Sequence, residues 1–179
     1  MKKIILTLVT FCSLFLIEIS ATAQNNKETK IDFKIKNIGM YVDGTFSEAT
    51  ITANFDKNNL ANSFINANID VASINTNNEK RDKHLLSNDY FDVATYKEMK
   101  LVSTKIEKVS ANGYRLTGNL TIKKATKTVV IPLVINENET SFTINGNFEL
   151  NRRDFGVGGS SWVLSNRVKI QVKHILKNN

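Results

Sequence analysis

The sequence predicts an all-β fold of about eight antiparallel strands with one short helix. Three observations predict it: apolar residues recur at every second position in most segments, short turn signals separate those segments, and a capping pattern interrupts them once. Period-two alternation is typical of half-buried strands in antiparallel sheets. This pattern alone is compatible with either a closed barrel or a packed sandwich.

The N-terminus has the three parts of a secretory signal peptide. Lys2 and Lys3 are positively charged, residues 4–17 are mostly apolar, and residues 21–23 read Ala-Thr-Ala. The apolar run falls short of the roughly 20 residues that cross a bilayer, so we expect no stable membrane span. We expect cleavage after Ala23, with 1–23 as the signal peptide and 24–179 as one mature domain, periplasmic or secreted.

The only cysteine, Cys12, lies inside this apolar run and follows Phe11. It lacks the small preceding residue of a bacterial lipid-attachment site, so we do not expect a lipoprotein. The predicted mature chain then has no disulfide, and packing alone must stabilise its fold.

The chain carries 24 Lys and Arg against 17 Asp and Glu, a net charge of +7. These charges are mostly scattered singly, which is typical of a solvated surface. Nucleic-acid binding would favour clustered basic residues with interleaved aromatics, so we expect no nucleic acid partner. An anionic lipid head group or membrane surface remains compatible with the charge.

The predicted strands follow the alternation along the chain. They include residues 31–35, 51–55, 63–71, 114–122, 142–150 and 168–172. Turn signals lie at residues 43–44, 56–59, 112–113, 123–126 and 136–139. Because most connections are short, neighbouring strands should pair as hairpins.

One segment departs from this pattern. Residues 76–79, Thr-Asn-Asn-Glu, have the form of a capping box, which predicts that a short helix begins there. Leu85 and Leu86, with Tyr90 and Phe91 beyond them, should pack this helix across one end of the sheet structure.

Several sequence blocks closely resemble the YceI-like family. They are Ile-Asp-Val-Ala-Ser-Ile-Asn-Thr at 69–76, Arg-Asp-Lys-His-Leu-Leu at 81–86, Asp-Tyr-Phe-Asp-Val at 89–93, Leu-Thr-Gly-Asn-Leu-Thr-Ile-Lys at 116–123 and Asn-Arg-Arg-Asp-Phe-Gly at 151–156. The resemblance covers nearly all of the predicted mature chain. It implies an exported, closed lipocalin-like β-barrel that binds polyisoprenoids or other long-chain amphiphiles in an elongated cavity.

Two positions depart from the family pattern. Lys97 stands where the family often has Pro, and residues 123–128 lack the usual Gly and Pro of that turn. They leave the geometry of these turns open and the barrel expectation intact.

We expect the inward-facing apolar side chains to line the cavity. Large residues alternate there with Ala and Gly, which leaves space for a ligand beside the small residues. A filled core is the alternative for any individual residue. The predicted apolar lining residues are Phe33, Ile35, Phe46, Phe55, Ala67, Ile69, Leu101, Leu116, Gly118, Leu120, Phe142, Ile144, Phe148 and Phe155.

Arg152 and Asp154 are the candidates for binding a ligand head group. Strand alternation would place them on one face, beside Phe155 and Trp162. The alternative is a structural ion pair that holds the last hairpin. Trp162 is predicted to lie in the pocket wall or at its mouth, and the glycine-rich residues 156–161 to form a turn at the barrel rim.

The sequence favours a binding protein that transports or stores an isoprenoid or fatty-acyl amphiphile. His84 and His174 sit in no metal-ligand spacing, and we predict no catalytic residue, metal or cofactor. A lipid-modifying enzyme in the same barrel and a solid-core interaction protein are the rival hypotheses. A homodimer is compatible with the sequence.

Overall fold

The computed structural model describes residues 29–177. The predicted signal peptide and the mature start at Gln24 lie outside the described residues. The described chain forms an all-β fold with one α-helix, as predicted. The strands are β1 (Thr29–Asn37), β2 (Met40–Phe46), β3 (Ala49–Asn54), β4 (Phe64–Asp70), β5 (Ile74–Asn75), β6 (Glu98–Lys108), β7 (Gly113–Ile122), β8 (Ala125–Glu137), β9 (Ser141–Asn151) and β10 (Leu164–Lys177), and the helix is α1 (Glu79–Leu86).

All ten strands belong to one antiparallel sheet in the order β3-β4-β6-β7-β8-β9-β10-β1-β2-β5. The sheet curls into a barrel whose two edges meet where β2 leads into β3. There the Ser47 N–H donates to the Ser73 carbonyl at 3.3 Å, and the Asp70 N–H donates to the Glu48 carbonyl at 2.9 Å. The first bond continues the β2–β5 pairing and the second continues the β3–β4 pairing, while residues 47–48 connect β2 at one side of the sheet to β3 at the other edge.

The predicted turn at residues 43–44 is wrong, because both residues lie inside β2. The β1–β2 hairpin turns instead at Ile38 and Gly39, which have positive φ angles of 49° and 79°. Gly44 pairs with Phe33 across the two strands, and a Cβ on Gly44 would lie 2.3 Å from the Phe33 ring. This glycine therefore permits a close side-chain approach and does not form a turn. The other predicted turns fall at or beside strand connections.

The helix begins at Glu79 and is capped by Asn78, whose side chain accepts from the Arg81 N–H at 3.0 Å. Thr76 was the predicted capping residue, and that prediction is wrong. Thr76 is buried instead, where its hydroxyl donates to the Asp82 carboxylate and accepts from Arg81 Nε at 2.7 Å. Thr76 thereby fastens α1 to the end of β5.

The two ends of the barrel are built differently. At the aromatic end, the Phe55 ring meets the rings of Tyr114 and Phe142 edge-on, with centroid distances of 5.1 and 5.4 Å. At the helix end, α1 and the segment after it pack on the buried core. Their packing residues are Leu85, Leu86, Tyr90 and Phe91, as predicted. No helix within residues 29–177 is long and apolar enough to cross a membrane.

Candidate ligand-binding cavity

The barrel encloses a cavity of about 670 Å³ that extends from the helix end toward the aromatic end. This volume lies within the range of about 300–1,000 Å³ that small-molecule sites occupy. Its walls come from the inward-facing positions of the strands, where alternation places every second side chain inside. The lining from β1, β9 and β10 consists of Ile31, Phe33, Ile35, Asn37, Ile144, Gly146, Phe148, Leu150, Leu164, Val168, Ile170, Val172 and His174.

Most of the predicted site residues line this cavity. Their contact with a ligand remains a prediction, since the geometry gives only their position. The predicted residues found in the lining are Phe33, Ile35, Phe46, Ala67, Ile69, Leu101, Leu116, Leu120, Ile144, Phe148, Arg152 and Phe155.

Three predicted apolar lining residues lie elsewhere. Phe55 and Phe142 belong to the aromatic end, where their rings pack on each other below the cavity. Gly118 faces inward, but a Cβ there would lie 2.8 Å from the backbone carbonyl oxygen of Val102. The β6–β7 register shifts close by, between Ser103 and Lys105. Gly118 therefore allows β6 and β7 to approach closely, and it adds no space to the cavity.

Asp154 and Trp162 also lie outside the cavity lining. Residues Arg152–Phe155 form a 3₁₀ helix, so the strand alternation expected to pair Arg152 with Asp154 does not apply. Asp154 is exposed and accepts from Asn151 Nδ2 at 3.1 Å. The Trp162 side chain is fully exposed, at 105%, although its neighbours Ser161 and Val163 both line the cavity.

Arg152 is a buried cation that holds the chain around the opening of the cavity. The ion-pair interpretation is wrong, because within residues 29–177 no salt bridge joins Arg152 to a carboxylate. Burial lowers the pKa of Arg152, and the nearby charge of Arg153 lowers it further. The N–H groups of the Arg152 guanidinium all donate hydrogen bonds to protein acceptors. These acceptors are the carbonyls of Val157, Gly159, Leu164 and Ser165 and the Oδ1 atom of Asn166, at 2.8–3.4 Å.

The cavity opens at the helix end. Three segments surround the opening, which we call the mouth: α1, the tip of the β1–β2 hairpin, and residues 157–164. Hydrogen bonds hold these parts together: the Ile38 N–H donates to the Val163 carbonyl at 2.9 Å, and the Gly158 N–H donates at 3.0 Å to the carbonyl of Asp89, in the segment that follows α1. Exposed side chains line the cavity at the mouth. These exposed lining residues are Lys80, His84, Ser161 and Val163.

Sequence reasoning missed the cationic side of the mouth. Lys80, Arg81 and His84 all line the cavity. Their spacing of three and four residues places them on one face of α1, which the predicted helix could have revealed. Part of the Arg81 guanidinium already binds the protein, because its Nε and Nη2 groups donate to the Thr76 hydroxyl and carbonyl. The His84 ring lies edge-on to Tyr90, with centroids 4.8 Å apart.

A family model for the YceI-like domain matches residues 23–175. The chain belongs to the YceI-like family. A curated relative, the UPF0312 protein of Pseudomonas savastanoi pv. phaseolicola (strain 1448A / Race 6), is 38% identical over 136 residues, which cover 72% of this chain and 71% of that protein. The family assigned from the sequence blocks is therefore confirmed.

Solved structures share this YceI-like fold. The crystal structure of Burkholderia cenocepacia BcnA has 27% identity and a TM-score of 0.79, and the match covers 82% of this chain and 95% of BcnA. A polyisoprenoid binding domain from Saccharophagus degradans, implicated in plant cell wall breakdown, has a TM-score of 0.69 over 87% of this chain and 97% of the domain. Its identity is 12%, so it supports the fold alone.

The two departures from the YceI-like turn pattern leave the barrel intact. Lys97 supplies the carbonyl that accepts from the Val71 N–H at 2.9 Å. Lys123 takes the left-handed conformation in the β7–β8 turn, with a φ angle of 54°. Its Nζ atom donates to the carbonyls of Asn88 and Gly156 at 3.3 and 3.2 Å, which ties this turn to the helix end.

Proposed function

We propose that this YceI-like protein binds a long-chain amphiphile, an isoprenoid or a fatty-acyl lipid, inside its barrel and carries or stores it. The cavity of about 670 Å³ is the observation that supports this function most directly. Its walls are predominantly aliphatic and aromatic, so a hydrocarbon chain gains affinity there through buried apolar area. A solid-core interaction protein would have no use for this internal space.

The arrangement of polar groups gives the bound lipid a direction. Lys80, Arg81 and His84 lie at the mouth, while Leu116 and Ile144 line the wall toward the aromatic end. A polar head group left among aliphatic side chains would lose its hydrogen bonds to water. We therefore place the head group at the mouth and the hydrocarbon chain toward the aromatic end.

Binding without catalysis fits the polar side chains better than a lipid-modifying enzyme does. The Thr29 hydroxyl and His174 Nδ1 lie 2.9 Å apart, which is the spacing of a nucleophile and its base. His174 lines the cavity, but Thr29 is not among its lining residues. Arg152 donates its N–H groups to the protein, so it does not offer them to a reacting group.

We further propose that the protein acts after export to the periplasm or outside the cell. Residues 1–23 have the signal-peptide pattern, and the family match begins at residue 23. Export brings the cavity to a compartment where membrane lipids are the abundant apolar molecules.

Extraction of the natively purified protein tests the proposal. The full chain is expressed with its own leader, purified without detergent, and extracted with organic solvent for mass spectrometry. We expect a long-chain lipid at close to one molecule per protein. As a second arm, delipidated protein is titrated with oleic acid and with a long-chain polyprenol. An empty extract together with no uptake of either compound would overturn the carrier function.

A further inference from the structure

Exposed apolar side chains gather beside the mouth of the cavity. We call them the apolar rim: Ile38, Met40, Tyr41, Trp162 and Val163. They come from two segments, the β1–β2 hairpin tip and residues 162–163. The hydrogen bond from the Ile38 N–H to the Val163 carbonyl joins these segments. Asn37, Val42 and Ser161, which flank the rim in sequence, line the cavity.

The rim includes an apolar residue, Ile38, at a turn position where the backbone conformation favours a polar residue. Ile38 has a φ angle of 49°, a conformation that β-branched residues rarely adopt, and its side chain is 69% exposed. A two-residue hairpin turn with positive φ at both positions favours Asn-Gly, whereas this turn is Ile-Gly. Strain of this kind persists where a residue has a role beyond the fold. The chain therefore keeps an aliphatic side chain in water at a place where folding favours a polar one.

Positive charges flank the rim. The Nζ atoms of Lys34 and Lys169 lie 5.7 and 5.9 Å from the centre of the Tyr41 ring. Lys36 is exposed and pairs with Tyr41 across the hairpin. The nearby acids are Asp43, which is paired with Lys34 at 3.0 Å, and Glu149, which lies opposite Lys169 in the β9–β10 pairing, so the basic residues outnumber the acids around Tyr41. Aromatic and aliphatic side chains beside lysines match the interfacial region of a membrane that contains anionic lipids.

We propose that the apolar rim is a docking surface for an anionic lipid bilayer, which seats the mouth of the cavity against the membrane. In this position a lipid passes between bilayer and barrel without crossing water. The passage of lipid rests on the proposed function, whereas docking does not. A second copy of the chain fits the rim less well, because a symmetric contact would bring the lysines of the two copies together.

The chain's only tryptophan reports directly on docking, since Trp162 lies in the rim. Delipidated protein is mixed with phosphatidylcholine vesicles, with and without phosphatidylglycerol. We expect Trp162 emission to shift to shorter wavelength and the protein to co-sediment only when phosphatidylglycerol is present. Added salt should weaken this binding, because it screens the lysines.

Ile38→Asn separates docking from folding. It gives the turn its preferred Asn-Gly sequence, so the thermal melt should stay the same or rise, while vesicle partitioning should fall roughly tenfold through loss of one inserted aliphatic side chain. Val134→Ser is the matched control: Val134 is exposed on β8 opposite Gly113, toward the aromatic end. It should bind vesicles like the wild type.

Two results would overturn the docking surface. The first is wild-type protein that does not bind phosphatidylglycerol vesicles even at low salt. The second is an Ile38→Asn variant that binds as tightly as wild type. If sedimentation velocity shows a dimer that Ile38→Asn dissociates, and vesicles are not bound, the rim contacts a second copy instead. Vesicle binding by a protein whose extracts hold no lipid, and which takes up neither oleic acid nor the polyprenol, would leave docking standing and remove the carrier function.

Discussion

The Phe33 ring lies over the Cα atom of Gly44 in the neighbouring strand, so close that a Cβ on Gly44 would be 2.3 Å from Cζ of the ring. Phe33 is also part of the cavity wall and contacts the Phe46 ring, with centroids 5.5 Å apart. Because Gly44 has no side chain, the Phe33 ring can pack on its backbone, and this contact sets the position of the ring in the cavity wall.

Replacing Gly44 by Ala should destabilise the protein by about 1–3 kcal/mol, because the Phe33 ring must leave its rotamer or the strands must separate. Urea unfolding of the delipidated protein measures the loss. Gly159→Ala is the control, since nothing lies within 4 Å of a Cβ there and its φ is not in the left-handed region. Equal unfolding free energies for both variants would contradict this account of Phe33.

Two glycines on inward faces should respond in opposite ways. Gly146 lines the cavity, and the atoms nearest to a Cβ there would be methyl groups of Leu133 and Ile131, at 3.3 and 3.5 Å, and the Pro132 carbonyl oxygen, at 3.9 Å. Gly146→Leu should therefore fill the cavity and lower bound lipid with little loss of stability. Gly118→Ala should cost about 1–3 kcal/mol, because a backbone carbonyl cannot move away.

Thermal melts of delipidated protein and lipid stoichiometry by mass spectrometry separate the two glycine variants. If Gly146→Leu still carries a full complement of lipid, the ligand does not occupy the space beside this strand.

Arg152→Lys should destabilise the protein by roughly 1–3 kcal/mol or more, although the charge is kept. A lysine cannot reproduce the planar fork of donors, so buried carbonyls such as that of Val157 lose their partner. Arg153→Lys changes an exposed neighbour and should lie within about 0.5 kcal/mol of wild type. Chemical unfolding of both variants is the measurement, and matching curves would show that the fork of donors is not what holds residues 157–166.

The exported protein should begin at Gln24. Intact-mass measurement of protein from the periplasmic or extracellular fraction tests the predicted cleavage after Ala23. A mass that still includes residues 1–23, or that carries a lipid on Cys12, would contradict the predicted signal peptide. Ala23→Asp, which removes the small residue before the cleavage site, should leave an uncleaved precursor.

Alternation predicted the walls of the barrel well, because inward and outward positions are fixed locally along each strand. Ile31, Phe33 and Ile35 on β1 all face the cavity for this reason. Alternation could not predict depth, because the level of a residue along the barrel depends on the register between strands. Phe55 and Phe142 were accordingly expected at the ligand and instead form the aromatic end.

The remaining errors arose where the chain leaves regular strands. Arg152 and Asp154 were placed on one face by a strand rule, but they lie in a 3₁₀ helix. Gly44 was assigned to a turn from its local preference, whereas its role is set by Phe33, its cross-strand partner in the β1–β2 hairpin. The pattern within one segment does not contain its cross-strand contacts, so only the folded chain reveals them.

The position of β1 between β10 and β2 has a consequence for the order of folding. Thr29 at the start of the described chain pairs with His174 near its end, so the β1–β10 pairing joins residues about as far apart in sequence as residues 29–177 allow. Such long-range pairing is slow to form, since a large loop must close before the contact stabilises anything. The barrel therefore cannot be completed until the last strand has been synthesised. In the export proposed above, a precursor threaded outward from its N-terminus would still be unclosed during transport, and would complete its fold only on the far side.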